Sequence, residues 1–309
     1  MIIGALVAAL FIAAVAPFLR EYTLKTMGSE ERKDAPGQCI PLSSGTTYFE
    51  WSGPEDGPLL VCIHGLTTPC CVWYGLASRL GGMGYRILIY DLYGRGYSDR
   101  LSGPQTKDFF VRQLGELLSS QQINRKFTVF GFSMGGAIAT AFAAAYPDKV
   151  QQLVLVAPAG IHIKGMNFIR GVMRLPILGD WFARGPYRWI HRKGTEAERD
   201  CLTSVPDIVD RQQKEMDFRG FCPAVLSSMR SIISEDHENS YKTIARHDIP
   251  TLLILGEQDT IIPLSVGEVL SQWHPTAQIH QISDAGHGLP YSHSDHIIKI
   301  LKSFLSPSN

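Results

Sequence analysis

The chain has 309 residues, of which 45% are hydrophobic and 19% are charged. That apolar content is enough for a sizeable core, so the composition excludes a generally disordered chain. Basic and acidic residues each number 29, which gives a formal net charge of zero and disfavours nucleic acid as a partner. The six cysteines include no CxxC pair, so we expect no metal site, and no organic cofactor is implied.

The chain opens with an uninterrupted apolar segment at residues 2–19. As a helix it would measure roughly 27 Å, close to the hydrocarbon thickness of a bilayer, which is about 30 Å. We therefore expect residues 1–20 to form a single-pass transmembrane anchor. Two alternatives stay open. Residues 14–16 (Ala-Val-Ala) resemble the cleavage site of a signal peptide, and an apolar helix can also dock on a soluble protein.

The positive charges around this segment predict its orientation. No lysine or arginine precedes it, whereas Arg20, Lys25, Arg32 and Lys33 follow it. The positive-inside rule then predicts a cytoplasmic catalytic domain, while signal cleavage would instead make the protein secreted. Residues 21–39 show no apolar period, and we expect them to form an exposed tether.

Short apolar runs and amphipathic stretches alternate along the rest of the chain. The runs predict strands at residues 46–51, 59–63, 86–90, 127–130, 152–156, 251–255 and 277–282. The stretches between them predict helices at residues 109–118, 135–145, 265–273 and 294–305. This order predicts an α/β fold with a mostly parallel sheet flanked by helices. Ligands of such sheets bind at the carboxyl ends of the strands.

Residues 161–246 break the alternation, because they contain helix-like segments and no convincing strand. We interpret them as a helical cap, or lid, inserted into a core made of residues 40–160 and 247–309. Within residues 161–193, seven basic residues stand against one acidic residue, Asp180, among many aromatic and aliphatic side chains. This composition fits a cap facing anionic lipid, and equally an ordinary cap with solvated arginines.

The candidate nucleophile lies in residues 131–135, Gly-Phe-Ser-Met-Gly, between a predicted strand and a predicted helix. This G-x-S-x-G pattern allows a sharp turn that exposes the hydroxyl of Ser133 above the sheet. A serine hydroxyl is a weak nucleophile at neutral pH and needs a base that is oriented by an acid. His287 lies in a glycine-flanked loop after the last predicted strand and is the candidate base.

Asp259 is the candidate acid, because it follows a predicted strand through a short turn. Glu257 stands too close to the strand end, and Asp284 stands too close in sequence to His287. An oxyanion also needs two N–H donors. We expect them to be the backbone amides of Met134, at a helix start, and of Leu66. His64 is expected to brace the loop that contains Leu66.

With these residues the chain resembles the α/β-hydrolase superfamily over roughly residues 45–160 and 247–305. The resemblance implies a catalytic triad of Ser133, Asp259 and His287, with Leu66 and Met134 forming the oxyanion hole. Residues 91–99 match another loop shared by the family. Position 95 is arginine here where histidine is common, so we assign it no role.

The resemblance also distinguishes between the reaction classes of the superfamily. Ser133 separates the chain from epoxide hydrolases and haloalkane dehalogenases, which carry aspartate at that position. Gly288 stands where carbon–carbon bond hydrolases usually carry tryptophan. The apolar N-terminal segment, the Ser-Met-Gly-Gly sequence at residues 133–136 and the short cap are most similar to membrane-anchored monoacylglycerol lipases.

The expected function is therefore serine esterase activity on small, lipid-like apolar esters through an acyl-enzyme. We expect the protein to associate with a membrane through residues 2–19. The basic cap would be a second membrane contact. Two alternatives remain: a carbon–carbon bond or thioester hydrolase, and a non-enzymatic ligand receptor built on the same fold.

Overall fold

The computed structural model describes residues 1–161 and 168–305, without the side chains of residues 168–170. Its strands form one sheet in the order β1-β2-β4-β3-β5-β6-β7-β8. They are β1 (Gln38–Pro41), β2 (Thr46–Ser52), β3 (Leu59–Ile63), β4 (Arg86–Tyr90), β5 (Phe127–Phe132), β6 (Val150–Val156), β7 (Thr251–Gly256) and β8 (Gln278–Ile282). The sheet is parallel from β4 to β8 in this order, and β2 pairs antiparallel with both β1 and β4.

Helices follow most of the strands in the described part of the chain. They are α1 (Ile2–Thr23), α2 (Tyr74–Gly82), α3 (Lys107–Ser120), α4 (Met134–Ala145), α5 (Phe168–Arg174), α6 (Leu178–Arg184), α7 (Pro186–Glu196), α8 (Ile208–Lys214), α9 (Phe221–Arg230), α10 (Glu238–Arg246), α11 (Ser265–Trp273), α12 (Leu289–Ser292) and α13 (Ser294–Phe304). Helices α2 and α13 form one group, and α3, α4, α10 and α11 form another.

The burial of the central strands explains why each of them is an apolar run in the sequence. Every residue of β3, β5 and β7 is buried, as expected for parallel strands that are covered on both faces. The predicted α/β fold with a mostly parallel, helix-flanked sheet is confirmed. Strand β1 was not predicted, because four residues that are mostly exposed and end in proline resemble a loop.

Helices α5 to α9 lie between β6 and β7 in the chain and correspond to the expected cap. Helix α10 belongs with the core instead: the Tyr241 and Trp273 rings stack with centroids 6.0 Å apart, and the N–H of His237 donates to Gly160 at 3.1 Å. The cap therefore ends before α10, earlier than the expected residue 246. Of the basic, apolar cap segment, residues 162–167 and the side chains of 168–170 lie outside the described residues.

The N-terminal segment also differs from the expected anchor and tether. Helix α1 continues past residue 20 because Glu21 is buried against the cap, with only 7% of its surface exposed. Beyond the helix, Lys25 forms a parallel bridge with Phe218. Arg32 forms an ion pair with Asp99 at 2.5 Å. Much of the expected tether therefore lies against cap and core.

Candidate active site

Ser133 occupies the sharp turn between β5 and α4. Its φ of 52° and ψ of −119° lie in a strained region for a residue with a side chain. The turn is tight because small residues surround it: a Cβ at Gly135 would collide with the carbonyl oxygen of Ile63. The backbone N–H of Ser133 donates to Val156 at 3.0 Å, which ties the turn to the neighbouring strand.

The three residues predicted to form a triad are joined by hydrogen bonds. Ser133 Oγ lies 3.0 Å from His287 Nε2, and His287 Nδ1 lies 2.7 Å from Asp259 Oδ2. The other carboxylate oxygen, Oδ1, accepts the backbone N–H groups of Ile261 at 2.8 Å and Ile262 at 2.9 Å. A carboxylate at Nδ1 favours the tautomer with its proton there, which leaves Nε2 free to accept the Ser133 hydroxyl proton.

The two competing acids lie elsewhere. Glu257 is exposed, and Asp284 is exposed and accepts the side-chain amide of Gln258 at 3.1 Å. The structure thus brings Asp259, and neither of the neighbouring acids, to the imidazole of His287.

The expected oxyanion donors lie on either side of the turn. Met134 is the first residue of α4, where the backbone N–H is not used within the helix. The loop with Leu66 passes close to the nucleophile, since a Cβ at Gly65 would lie 3.3 Å from the Cβ of Ser133. Within the described residues, neither of the two backbone N–H groups donates to a protein acceptor.

His64 orients the Gly65–Leu66 peptide. Its Nε2 accepts the backbone N–H of Leu92 at 2.9 Å, so the ring proton is on Nδ1, which donates to the Gly65 carbonyl oxygen at 2.8 Å. Burial lowers the pKa of His64 to about 3, so the ring stays neutral and keeps this tautomer. The expected bracing role therefore has a specific form: His64 holds the peptide whose N–H belongs to Leu66.

Arg95 connects the same loop to the cap. Its side chain is fully buried and donates to the carbonyl oxygen of Leu66 and to Ser228 of α9, both at 2.9 Å. It also donates to the carbonyl oxygen of Tyr93 at 2.9 Å and to Gln105 Oε1 at 2.5 Å. Burial lowers the pKa of Arg95 to about 9. Five donors in a fixed fork suit several carbonyl and amide acceptors at once, which the smaller histidine ring cannot match.

A cavity of about 460 Å³ contains Ser133 and His287 in its wall. Its apolar lining comes chiefly from β5, from α9 and the turn that follows it, and from the loop after Asp259, as Phe132, Met229, Ile233, Ile261 and Ile262. Its polar lining comes chiefly from the region of α7 and α8, and from α12, as His191, Thr195, Glu198, Gln212 and Tyr291. The cavity is thus amphipathic, in agreement with the usual character of small-molecule sites.

The polar residues of this cavity are arranged by contacts with each other and with the core. Tyr291 donates to Glu198 at 2.8 Å, and Gln212 donates to Thr68 at 2.9 Å. Burial lowers the pKa of His191 to about 4, which keeps its ring neutral. These residues could not be assigned to the site from the sequence, because no local pattern shows that distant cap residues share one cavity with Ser133.

The chain is similar to known proteins in both sequence and fold. The profile of the alpha/beta hydrolase fold family matches residues 58–294. The chain is 27% identical over 268 residues to Lipase 3 of Moraxella sp. (strain TA144), covering 83% of this chain and 80% of that one. It is 26% identical to the 2-hydroxy-6-oxononadienedioate/2-hydroxy-6-oxononatrienedioate hydrolase of Paraburkholderia phymatum, covering 80% and 86%.

A solved thermophilic esterase from Thermogutta terrifontis superposes with a TM-score of 0.71 at 22% identity, covering 87% of this chain and 98% of that one. Its likeness concerns the fold. The family profile spans the sheet from β3 to β8 and includes the turn at Ser133, Asp259 and His287. The chain is therefore a member of the alpha/beta hydrolase fold family, as its motifs predicted.

Proposed function

We propose that this chain is a serine hydrolase that cleaves carboxylic esters through an acyl-enzyme intermediate. The observation that supports this function is the continuous hydrogen-bonded chain from Asp259 through His287 to Ser133 in the wall of the cavity. The lipase relative and the esterase neighbour carry names that agree with this chemistry.

In the first half of the reaction, Ser133 Oγ attacks the ester carbonyl carbon while His287 Nε2 takes the hydroxyl proton. The backbone N–H groups of Leu66 and Met134 stabilise the oxyanion that forms, and Asp259 stabilises the imidazolium. The tetrahedral intermediate then collapses, the carbon–oxygen bond to the alcohol breaks, and His287 gives its proton to the leaving alcohol. In the second half, water is deprotonated by His287, attacks the acyl-enzyme and releases the acid with Ser133 restored.

The amphipathic lining favours an ester with an apolar acyl chain and a small hydroxylated alcohol, as in a monoacylglycerol. Hydroxyl groups fit the donors and acceptors of Gln212, His191 and Tyr291, and an acyl chain fits the isoleucines and Met229. Glu198 adds a carboxylate to the polar side, which disfavours an anionic head group.

The carbon–carbon bond hydrolase is the second candidate, because one relative is named as a hydrolase of an oxononadienedioate and not of an ester. Its substrate is named as a dioate, a compound with two carboxylates. Among the described residues that line the cavity there is no lysine or arginine to bind a carboxylate. We therefore favour the ester over the dioate as the substrate class for this chain.

We also propose that α1 is a membrane anchor that leaves the catalytic domain in the cytoplasm. It has 22 residues, and its most apolar 18-residue stretch has a mean hydropathy of 2.7 and is not buried by the protein. The basic residues that follow it support this orientation. Retention of α1 is also favoured by a hydrogen bond from Trp181 to the carbonyl oxygen of Ala13, which signal cleavage would remove.

The test is hydrolysis of monoacylglycerols of graded acyl length, and of the matching fatty-acid methyl esters, by the full-length protein in detergent. We expect both series to be cleaved, with preference for the glycerol ester, and Ser133→Ala to abolish both activities. Ser119→Ala, an exposed serine on α3, is the matched control and should retain full activity. Absence of hydrolysis of every ester would refute the proposed function.

A further inference from the structure

The turn between α5 and α6 exposes a cluster of large apolar side chains. Leu175, Ile177 and Leu178 expose 48%, 80% and 47% of their surfaces. Ile177 also has a φ of 61°, a left-handed conformation that is costly for a β-branched residue. Contiguous exposed apolar patches mark sites of interaction with proteins or membranes.

Helix α1 is fixed against the same part of the cap. The indole N–H of Trp181 in α6 donates to the carbonyl oxygen of Ala13 at 3.0 Å. Five residues further along α1, the guanidinium of Arg184 lies 5.2 Å from the centre of the Phe18 ring. The apolar part of α1 and the turn before α6 are therefore neighbouring elements of one surface.

A buried ion pair secures this arrangement. Glu21 near the end of α1 accepts from Arg188 of α7 at 3.4 Å and from the backbone N–H of Gly220 at 2.7 Å. The two charged side chains expose only 8% and 6% of their surfaces. Separating α1 from the cap would leave these charges without partners, which is costly, so helix and cap hold one relative position.

The hydrogen bond from Trp181 to Ala13 fixes how deep the cap lies in a bilayer that α1 spans. A hydrocarbon core of about 30 Å takes about 20 helical residues, which places its boundary on the protein side near Arg20. Ala13 comes seven residues before Arg20 and so lies about 10 Å deeper along the helix. Segments that enter a bilayer without crossing it reach about 5–10 Å into this boundary. A spanning α1 thus brings Trp181 and the adjoining turn into the lipid.

The charges near this depth are compatible with that position. Asp180 is paired with Arg184 at 2.9 Å and with Arg230 at 2.8 Å, so α6 presents no isolated charge. Closer to the boundary, the Arg219 guanidinium lies 4.4 Å from the centre of the Tyr22 ring. Arginine and aromatic side chains are enriched at the level of lipid head groups.

We propose that the turn at residues 175–178 inserts into the lipid bilayer beside α1, so that the cap is a second membrane-penetrating element. The occupant of this apolar surface is the acyl-chain region of the bilayer, which is continuous with the region that surrounds α1. The proposal rests on the proposed membrane-spanning position of α1 and does not depend on hydrolase activity.

The test places an environment-sensitive fluorophore on the turn. Cys39 and Cys201, the exposed cysteines, are replaced by serine in the full-length protein, and Ile177→Cys is then labelled with NBD. Asn124→Cys is the matched control, because Asn124 is exposed beside the amino end of β5, at the edge opposite the cap. Both proteins are reconstituted into vesicles of phosphatidylcholine and phosphatidylglycerol, with and without lipids that carry a doxyl quencher on the acyl chain.

We expect the label at position 177 to shift to shorter wavelength and to be quenched by doxyl lipids several-fold more strongly than the label at position 124. Equal and weak quenching at the two positions would overturn the proposal. A shifted emission without doxyl quenching would also overturn it, because it would show that protein, including a second copy of the chain, covers the turn. Leu178→Cys repeats the measurement should the exchange at position 177 disturb folding.

Discussion

The contacts of Asp259 make a specific prediction for the exchange Asp259→Asn. Oδ1 accepts two backbone N–H groups, from Ile261 and Ile262, and only an oxygen can take that place. The asparagine must therefore turn its NH₂ group towards His287 Nδ1. An NH₂ donor there favours the tautomer with the proton on Nε2, which can no longer accept the proton of Ser133.

We expect Asp259→Asn to lower kcat by about 10,000-fold, the loss that the wrong tautomer causes in a Ser-His-Asp triad. This corresponds to about 5 kcal/mol in the activation free energy. The fold should stay intact, because the exchange keeps the volume of the side chain and both backbone hydrogen bonds. The assay is steady-state hydrolysis of a water-soluble p-nitrophenyl ester by the full-length protein in detergent, with circular dichroism to check the fold.

Asp284→Asn is the matched control, because this exposed aspartate contacts Gln258 and not the imidazole. It should leave kcat unchanged within about twofold, as is usual for surface exchanges away from the chemistry. If Asp259→Asn retained activity within tenfold of the parent, the argument from tautomers would be refuted. A large loss in Asp284→Asn alone would assign the acid to Asp284.

Three further exchanges test other parts of the molecule. Arg95→His should lower kcat of ester hydrolysis by roughly 100-fold with little change in KM, the effect of moving an oxyanion donor by about 1 Å. Glu21→Gln should lower the free energy of unfolding by about 3 kcal/mol because Arg188 stays buried without its partner, whereas the exposed Glu30→Gln should lower it by less than about 1 kcal/mol in thermal melts. Burial lowers the pKa of His191 to about 4, so the neutral ring contributes fully to the free energy of unfolding above pH 6.5, and this contribution is lost as the pH falls towards 4. His191→Phe should therefore reduce the fall of the melting temperature over that acidic range.

The core, and the proximity of the three candidate triad residues, could be predicted from the sequence because both follow from local patterns. Each parallel strand is a short apolar run, and the carboxyl ends of such strands meet at one edge of the sheet. Ser133, Asp259 and His287 each follow a strand, so they could be assigned to one site although 154 residues separate the first from the last. The glycines around Ser133 also predicted the position of the tight turn, since the turn requires them.

The contacts made by long polar side chains could not be predicted in the same way. Arg95 lies in a recognisable loop, yet its partner in α9 stands 133 residues further along the chain. Glu21 follows the apolar segment at residues 2–19 and resembles a solvated residue, but it is buried by the cap. In both cases the sequence shows a charge, and only the packing of distant elements shows what the charge contacts.

These two side chains lie at opposite ends of one packed path. Glu21 binds the backbone at Gly220, just before α9; further along α9, Ser228 accepts from Arg95, which in turn binds the carbonyl oxygen of Leu66. Contact alone does not establish that α1 influences the loop that contains Leu66, because coupling requires an energy that both ends share. A double-mutant cycle on kcat with Glu21→Gln and Arg95→His measures that energy. Additive effects would mean that α1 only holds the cap in place, whereas a non-additive result would mean that the docking of α1 and the rate of ester hydrolysis are linked through α9.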